Sequence, residues 1–66
     1  MMIEEIQYRE MARSYDMVCR FRDIAEQCGE PVFLREMTEQ KNNMEAWGKR
    51  LGINLREIAD NYYSDL

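Results

Sequence analysis

Histidine is absent from this sequence, which removes the commonest general base and the commonest metal ligand. Cysteine occurs only twice, as Cys19 and Cys28. Both fall in what reads as one helix, where their spacing sets them ~13 Å apart along the axis and on opposite faces. Bridged cysteines need Cα atoms within about 7 Å, so an intrachain disulfide is excluded. Two thiols without histidine also match no zinc-binding pattern, so no metal or other cofactor is expected. Unpaired thiols suit a reducing cytosol. No apolar run approaches the ~18 residues of a membrane span. The opening Met-Met-Ile-Glu-Glu carries acids where a signal peptide carries basic residues. A cytoplasmic location without membrane contact is the expectation.

Large aliphatic residues are scarce as well. Leu, Ile, Val and Phe supply 13 of the 66 residues, and six Met, four Tyr and one Trp raise the large apolar set to 24. Such a chain forms one domain over residues 1–66, with a marginal core. Small scaffolds of this kind find extra burial in a staple, a metal or a partner chain. Cationic charge is short too: nine basic against thirteen acidic residues leave a net charge of −4, the wrong sign for gripping phosphates.

Helix formers fill what remains, and one Pro and three Gly punctuate them. Residues 2–28 read as a single long helix with a polar stripe of Glu5, Arg9, Arg13, Asp16, Arg20, Asp23 and Gln27, all within ~40° of one direction. Gly29 suits the position that ends it. Pro31 suits the first turn of a second helix. Phe33, Met37, Gln40, Met44, Trp47 and Leu51 then recur at a 4-3-4-3-4 spacing, one seam with a polar break at Gln40. Gly52 ends that helix. Asn54-Leu-Arg-Glu57 has the spacing of a capping box for a third, with Ile53 placed to staple against Ile58. The fold class is all-α: a long helix, a hairpin to a medium one, and a short C-terminal one.

The first helix carries two apolar flanks. Ile3, Ile6, Met17, Phe21, Ile24 and Cys28 form one, and Tyr8, Met11, Tyr15, Val18 and Cys19 form another roughly 150° away. Packing against one hairpin needs a single stripe a little over ~100° wide. The seam of the second helix is expected to cover the Ile6–Met17–Phe21–Ile24 flank, with Trp47 as the largest burial. The flank of Tyr8, Met11, Tyr15, Val18 and Cys19, with Arg22 at its end, is then left as an interface, expected to pair two copies as a homodimer with the first helix at its centre; a different protein is the other occupant. The alternative is that the second and third helices each cover one flank.

Residues 47–58, Trp-Gly-Lys-Arg-Leu-Gly-Ile-Asn-Leu-Arg-Glu-Ile, resemble the helix-turn-helix of repressors. Gly48 stands at the small position, Leu51-Gly52-Ile53 at the turn and Ile58 at the buried spot. That resemblance implies a DNA-binding regulator using residues 47–63, in which Asn54, Leu55, Arg56, Ala59 and Asp60 face the groove, Asn54 and Arg56 being the readers. Asn61 departs from the pattern, which has an aliphatic residue there. Over residues 52–66, one Arg stands against Glu57, Asp60 and Asp65, and a net acidic helix gains little from phosphate contacts. Ser64-Asp65-Leu66 has the form of a captured C-terminus, while Tyr62 and Leu66 suit packing. Tyr8, Glu10, Tyr15 and Asp16 neighbour one another without an activating base, so no catalytic residues are expected.

By type, an acidic helical chain of this size is similar to phage- and plasmid-encoded inhibitors and adaptors that occupy a surface on a larger protein. Its charge suits a partner with a basic groove. The alternatives are the helix-turn-helix regulator and a purely structural oligomerisation module.

Overall fold

The computed structural model describes residues 3–63 and the side chains of residues 5–61. It is all-α: α1 spans Ile3–Cys28, α2 Pro31–Leu51 and α3 Leu55–Tyr63. The expectations for Met2, for the Ile3 and Tyr62 side chains and for Ser64-Asp65-Leu66 lie outside the described residues.

The joints form where the sequence places them. Gly29 and Gly52 both take positive φ, 70° and 73°, a conformation that a Cβ disfavours. After α1, Gly29 N–H donates to the Glu26 carbonyl at 3.3 Å and Glu30 N–H to Ala25 at 3.1 Å. After α2, Gly52 N–H donates to Lys49 at 3.2 Å and Ile53 N–H to Gly48 at 2.9 Å. Each pair is a Schellman closure that satisfies the last helical carbonyls. Lys49 and Arg50 sit in the last turn of α2, where the helix dipole favours cations. Pro31 opens α2. Asn54 Oδ1 accepts the Glu57 N–H at 3.1 Å, which caps α3.

Both α2 and α3 pack on α1, so α1 is the central element. The core is small in volume. Ala12, Tyr15, Leu55 and Ala59 form its buried cluster, with Met11, Cys19, Met44, Ile53 and Ile58 packed around it; Ala25 is buried as well. Gly48 is the buried residue of α2. A Cβ there would stand 3.1 Å from the Ile53 carbonyl oxygen and 3.4 Å from Leu55 Cγ, so this glycine lets the turn and α3 close in.

The packing reverses the expected use of the two α1 flanks. Tyr15 is 3 % exposed, and Tyr8, Met11, Val18, Cys19 and Arg22 are half-buried within the chain. The flank expected to stay bare is the one that α2 and α3 cover. Ile6, Met17, Phe21 and Ile24 face outward instead, as do Phe33, Trp47 and Leu51 of the α2 seam. Trp47, expected as the largest burial, is 56 % exposed. The reason is shape and polar pairing. Ala12 and Ala25 of α1 allow close backbone approach, and their flank also carries the groups that pair across the helices. Arg22 Nε donates to Thr38 Oγ1 at 3.1 Å, and Tyr15 Oη donates to Glu45 Oε1 at 3.1 Å.

The polar stripe follows the same logic. Glu5, Arg13, Arg20, Asp23 and Gln27 are exposed, while Arg9 and Asp16 are half-buried. Two i,i+4 pairs form along it, Arg9–Glu5 at 3.1 Å and Arg20–Asp16 at 2.8 Å. Asp16 turns toward α3, where Arg56 Nη2 meets it at 2.9 Å.

Candidate interaction surface

Three sectors divide the circumference of α1. The Asp16–Arg56 pair marks the direction of α3, and the Arg22–Thr38 bond marks that of α2. At ~100° per residue these directions differ by about 120°. Ile6, Met17, Phe21 and Ile24 fill the remaining third, within an arc of about 60°.

The bare part of α2 lies on the same side of the hairpin. Glu45 lies on the side of the hairpin that α3 shares, because its partner Tyr15 also stacks under the Arg56 guanidinium of α3 at 5.5 Å, and Thr38, the partner of Arg22, falls within ~20° of Glu45 on α2. Phe33, Trp47 and Leu51 are turned about 140° from that side. They therefore look out from the opposite broad face of the α1–α2 hairpin, beside the bare sector of α1. The half-buried Met37 and Met44 border the patch. Seven large apolar side chains, each 40–56 % exposed, share this face. Monomeric domains seldom leave so many together without a use for them.

Charge on the face is balanced. Glu10 and Arg13 stand in its α1 sector and pair with each other at 4.0 Å. Arg50 stacks over the Trp47 ring at 5.5 Å, a cation–π contact at the rim.

On the other side of the hairpin, Tyr15, Glu45, Lys49, Ile53, Asn54, Leu55 and Arg56 line a cleft of about 230 Å³. Tyr15, Glu45 and Arg56 in it are engaged in pairs. Lys41 Nζ donates to Glu45 Oε1 at 2.7 Å, and this bond, with that from Tyr15, holds the Glu45 carboxyl below its ordinary range. Burial, followed by the Cys19 thiol and Glu45, pushes the Tyr15 phenol well above its usual value, so it stays a neutral donor. Burial alone would raise Asp16, but hydrogen bonds from Arg20 and Arg56 outweigh it and hold the carboxyl low. The reciprocal bond to Asp16 raises Arg56. These are charges arranged to lock α3 onto α1, with no nucleophile paired to a base.

The residues singled out for reading DNA are engaged inside the chain. Asn54 caps α3. Arg56 is bound to Asp16 and, at 3.1 Å, to Asp60. Leu55 and Ala59 are buried against α1 rather than presented to a groove. The turn resembles a helix-turn-helix in sequence, but α3 turns its inner face onto α1.

The sequence held a signal for the outward face. The 4-3-4-3-4 seam of α2 and the Ile6–Ile24 flank are both visible in it, and what pattern alone leaves open is the side on which each is used. Among the described residues, no group of His, Cys, Asp and Glu could hold a metal. No helix there is long and apolar enough to cross a membrane. Comparison with known proteins finds no matching family model, no matching curated protein and no matching solved structure.

Proposed function

We propose that this chain is a small, non-catalytic interaction protein that regulates a larger protein by binding to it, as inhibitors and adaptors do. The observation that carries the reading is the outward apolar face of the α1–α2 hairpin, on a chain whose polar side chains are arranged for internal ion pairs. A surface of this kind gains free energy by association and supplies no group for bond making. The net charge of −4 lies outside the face and suits a larger partner with a basic groove. DNA reading is not carried forward, since Asn54 and Arg56 serve α3 itself.

The test is affinity capture from a lysate of the source cells, using the parent chain and Met17→Glu, which places a charge in the apolar face. The expected result is a defined larger protein retained by the parent and lost with the variant. Retention of no larger protein by the parent would overturn the reading.

A further inference from the structure

The outward face of the α1–α2 hairpin has the size, charge balance and symmetry of a self-association surface. We infer that it binds a second copy of this chain, giving an antiparallel four-helix pair with each α3 on the outside. This rests on the same face as the interaction reading and gives that face to a copy of the chain, leaving the acidic outer surface of the pair for a larger protein.

Area supports the assignment. A large apolar side chain carries on the order of 200 Å², so seven at 40–56 % exposure leave roughly 600 Å² per chain and about 1,200 Å² in a pair. That is the lower end of what specific interfaces bury. A second helical hairpin matches a face shared by two antiparallel helices, as in a four-helix bundle.

Charge decides between occupants. A partner chosen by electrostatics would need a face of one sign, and the chain as a whole is acidic at −4. The apolar face carries no net charge: Glu10 and Arg13 compensate each other, and the Arg50 cation over Trp47 is matched by exposed Glu36, ~20° from Trp47 around α2. A copy therefore meets no like-charge field across it. A twofold pairing presents the same patch from both sides, so every apolar residue on it is covered twice. The acidic residues stay on the outer surface, where the pair carries twice −4, or −8, toward a basic partner.

The chain's own core adds a reason. Among the described residues its buried apolar side chains are three alanines, one leucine and one tyrosine, and a scaffold this small gains markedly from extra burial. Covering the hairpin face supplies it from the residues left outside.

Sedimentation or light scattering over a dilution series tests the proposal, with Trp47 fluorescence as a second reading on the parent chain. The expected mass is near twice 8.0 kDa, and Trp47, the one Trp, should shift to longer emission wavelength as dilution separates the pair. Met17→Glu and Phe21→Glu should each give 8.0 kDa while keeping their helical circular dichroism. A parent chain that stays at 8.0 kDa up to about 1 mM, or a Trp47 emission that ignores dilution, overturns the inference. A monomeric parent that still captures a larger protein through Met17 would leave the interaction reading standing and remove only the pairing. A paired parent that captures nothing would do the reverse.

Discussion

The two apolar flanks of α1 differ in grain, and the difference decides which one is inside. The covered flank mixes small and polar residues: Ala12, Val18, Cys19 and Ala25 with Tyr15 and Arg22. The bare flank presents Ile6, Met17, Phe21 and Ile24, all large and apolar, with no small residue among them. Counting hydrophobic mass would put the second flank in the core. Close packing selects the first, because α-carbons and methyl groups let helix axes approach while large side chains hold them apart. The polar atoms on the covered flank are satisfied across the helices, Tyr15 by Glu45 and Arg22 by Thr38. Burial there leaves no orphaned partner in these pairs.

Substitutions that treat the flanks unequally can break this comparison. Tyr15→Ala should do the most damage. It opens a cavity in the buried cluster and removes the donor to Glu45, and truncating a buried aromatic costs ~3–5 kcal/mol. In a chain of 66 residues that abolishes a cooperative thermal transition. A surviving transition at the parent midpoint would mean that the covered flank is assigned wrongly.

Asn54→Ala comes next. Loss of the cap on α3 should cost ~1 kcal/mol, read as a lower denaturation midpoint. An unchanged midpoint would show that Asn54 is not holding Glu57 N–H in solution.

Asp16→Asn should cost about 1 kcal/mol or less at neutral pH, since the ion pairs are partly solvated. The sign of its pH dependence follows from the direction of the shift. The folded carboxyl is held below its ordinary range by Arg20 and Arg56. Its stabilisation is therefore present above the unfolded value and lost as pH falls through the folded one. The parent should weaken in acid more steeply than Asp16→Asn, and parallel acid profiles would contradict the pairing.

Trp47→Ala should have the smallest effect on the dilute chain. Trp47 packs against Arg50 at the rim of the outward face, so the single-chain midpoint should barely move. What should change is the rise of the midpoint with protein concentration, which mass action gives a self-associating chain and which the variant should lose. A large loss in the dilute chain would restore Trp47 to the core.

Local chemistry made the helices legible in the sequence. Gly29 and Gly52 at positive φ, Pro31 at the first turn of α2 and Asn54 as a cap are all choices made within a few residues. The orientation of the helices about their own axes was not legible. It depends on Arg56 finding Asp16 forty positions away and on Gly48 admitting Ile53 and Leu55. Both flanks of α1 pass the same periodicity test, and no period distinguishes alanine packed at close range from phenylalanine in water. The helix-turn-helix resemblance is limited for a related cause. It fixes the turn, but the burial of Leu55 and Ala59 is set by α1, which lies outside the motif.

The most direct test of the account is a paired melt of Ala12→Glu and Met17→Glu, followed by circular dichroism in dilute solution. The two positions lie on one helix, five residues apart, and both variants add the same carboxylate. The account predicts that Ala12→Glu destroys the helical transition, because Ala12 has 0 % exposure and an unpaired charge cannot be placed there. It predicts that Met17→Glu, on the outward flank, keeps the helical signal and a cooperative melt. The opposite pattern, with Ala12→Glu folded and Met17→Glu unfolded, would contradict the assignment of the two flanks.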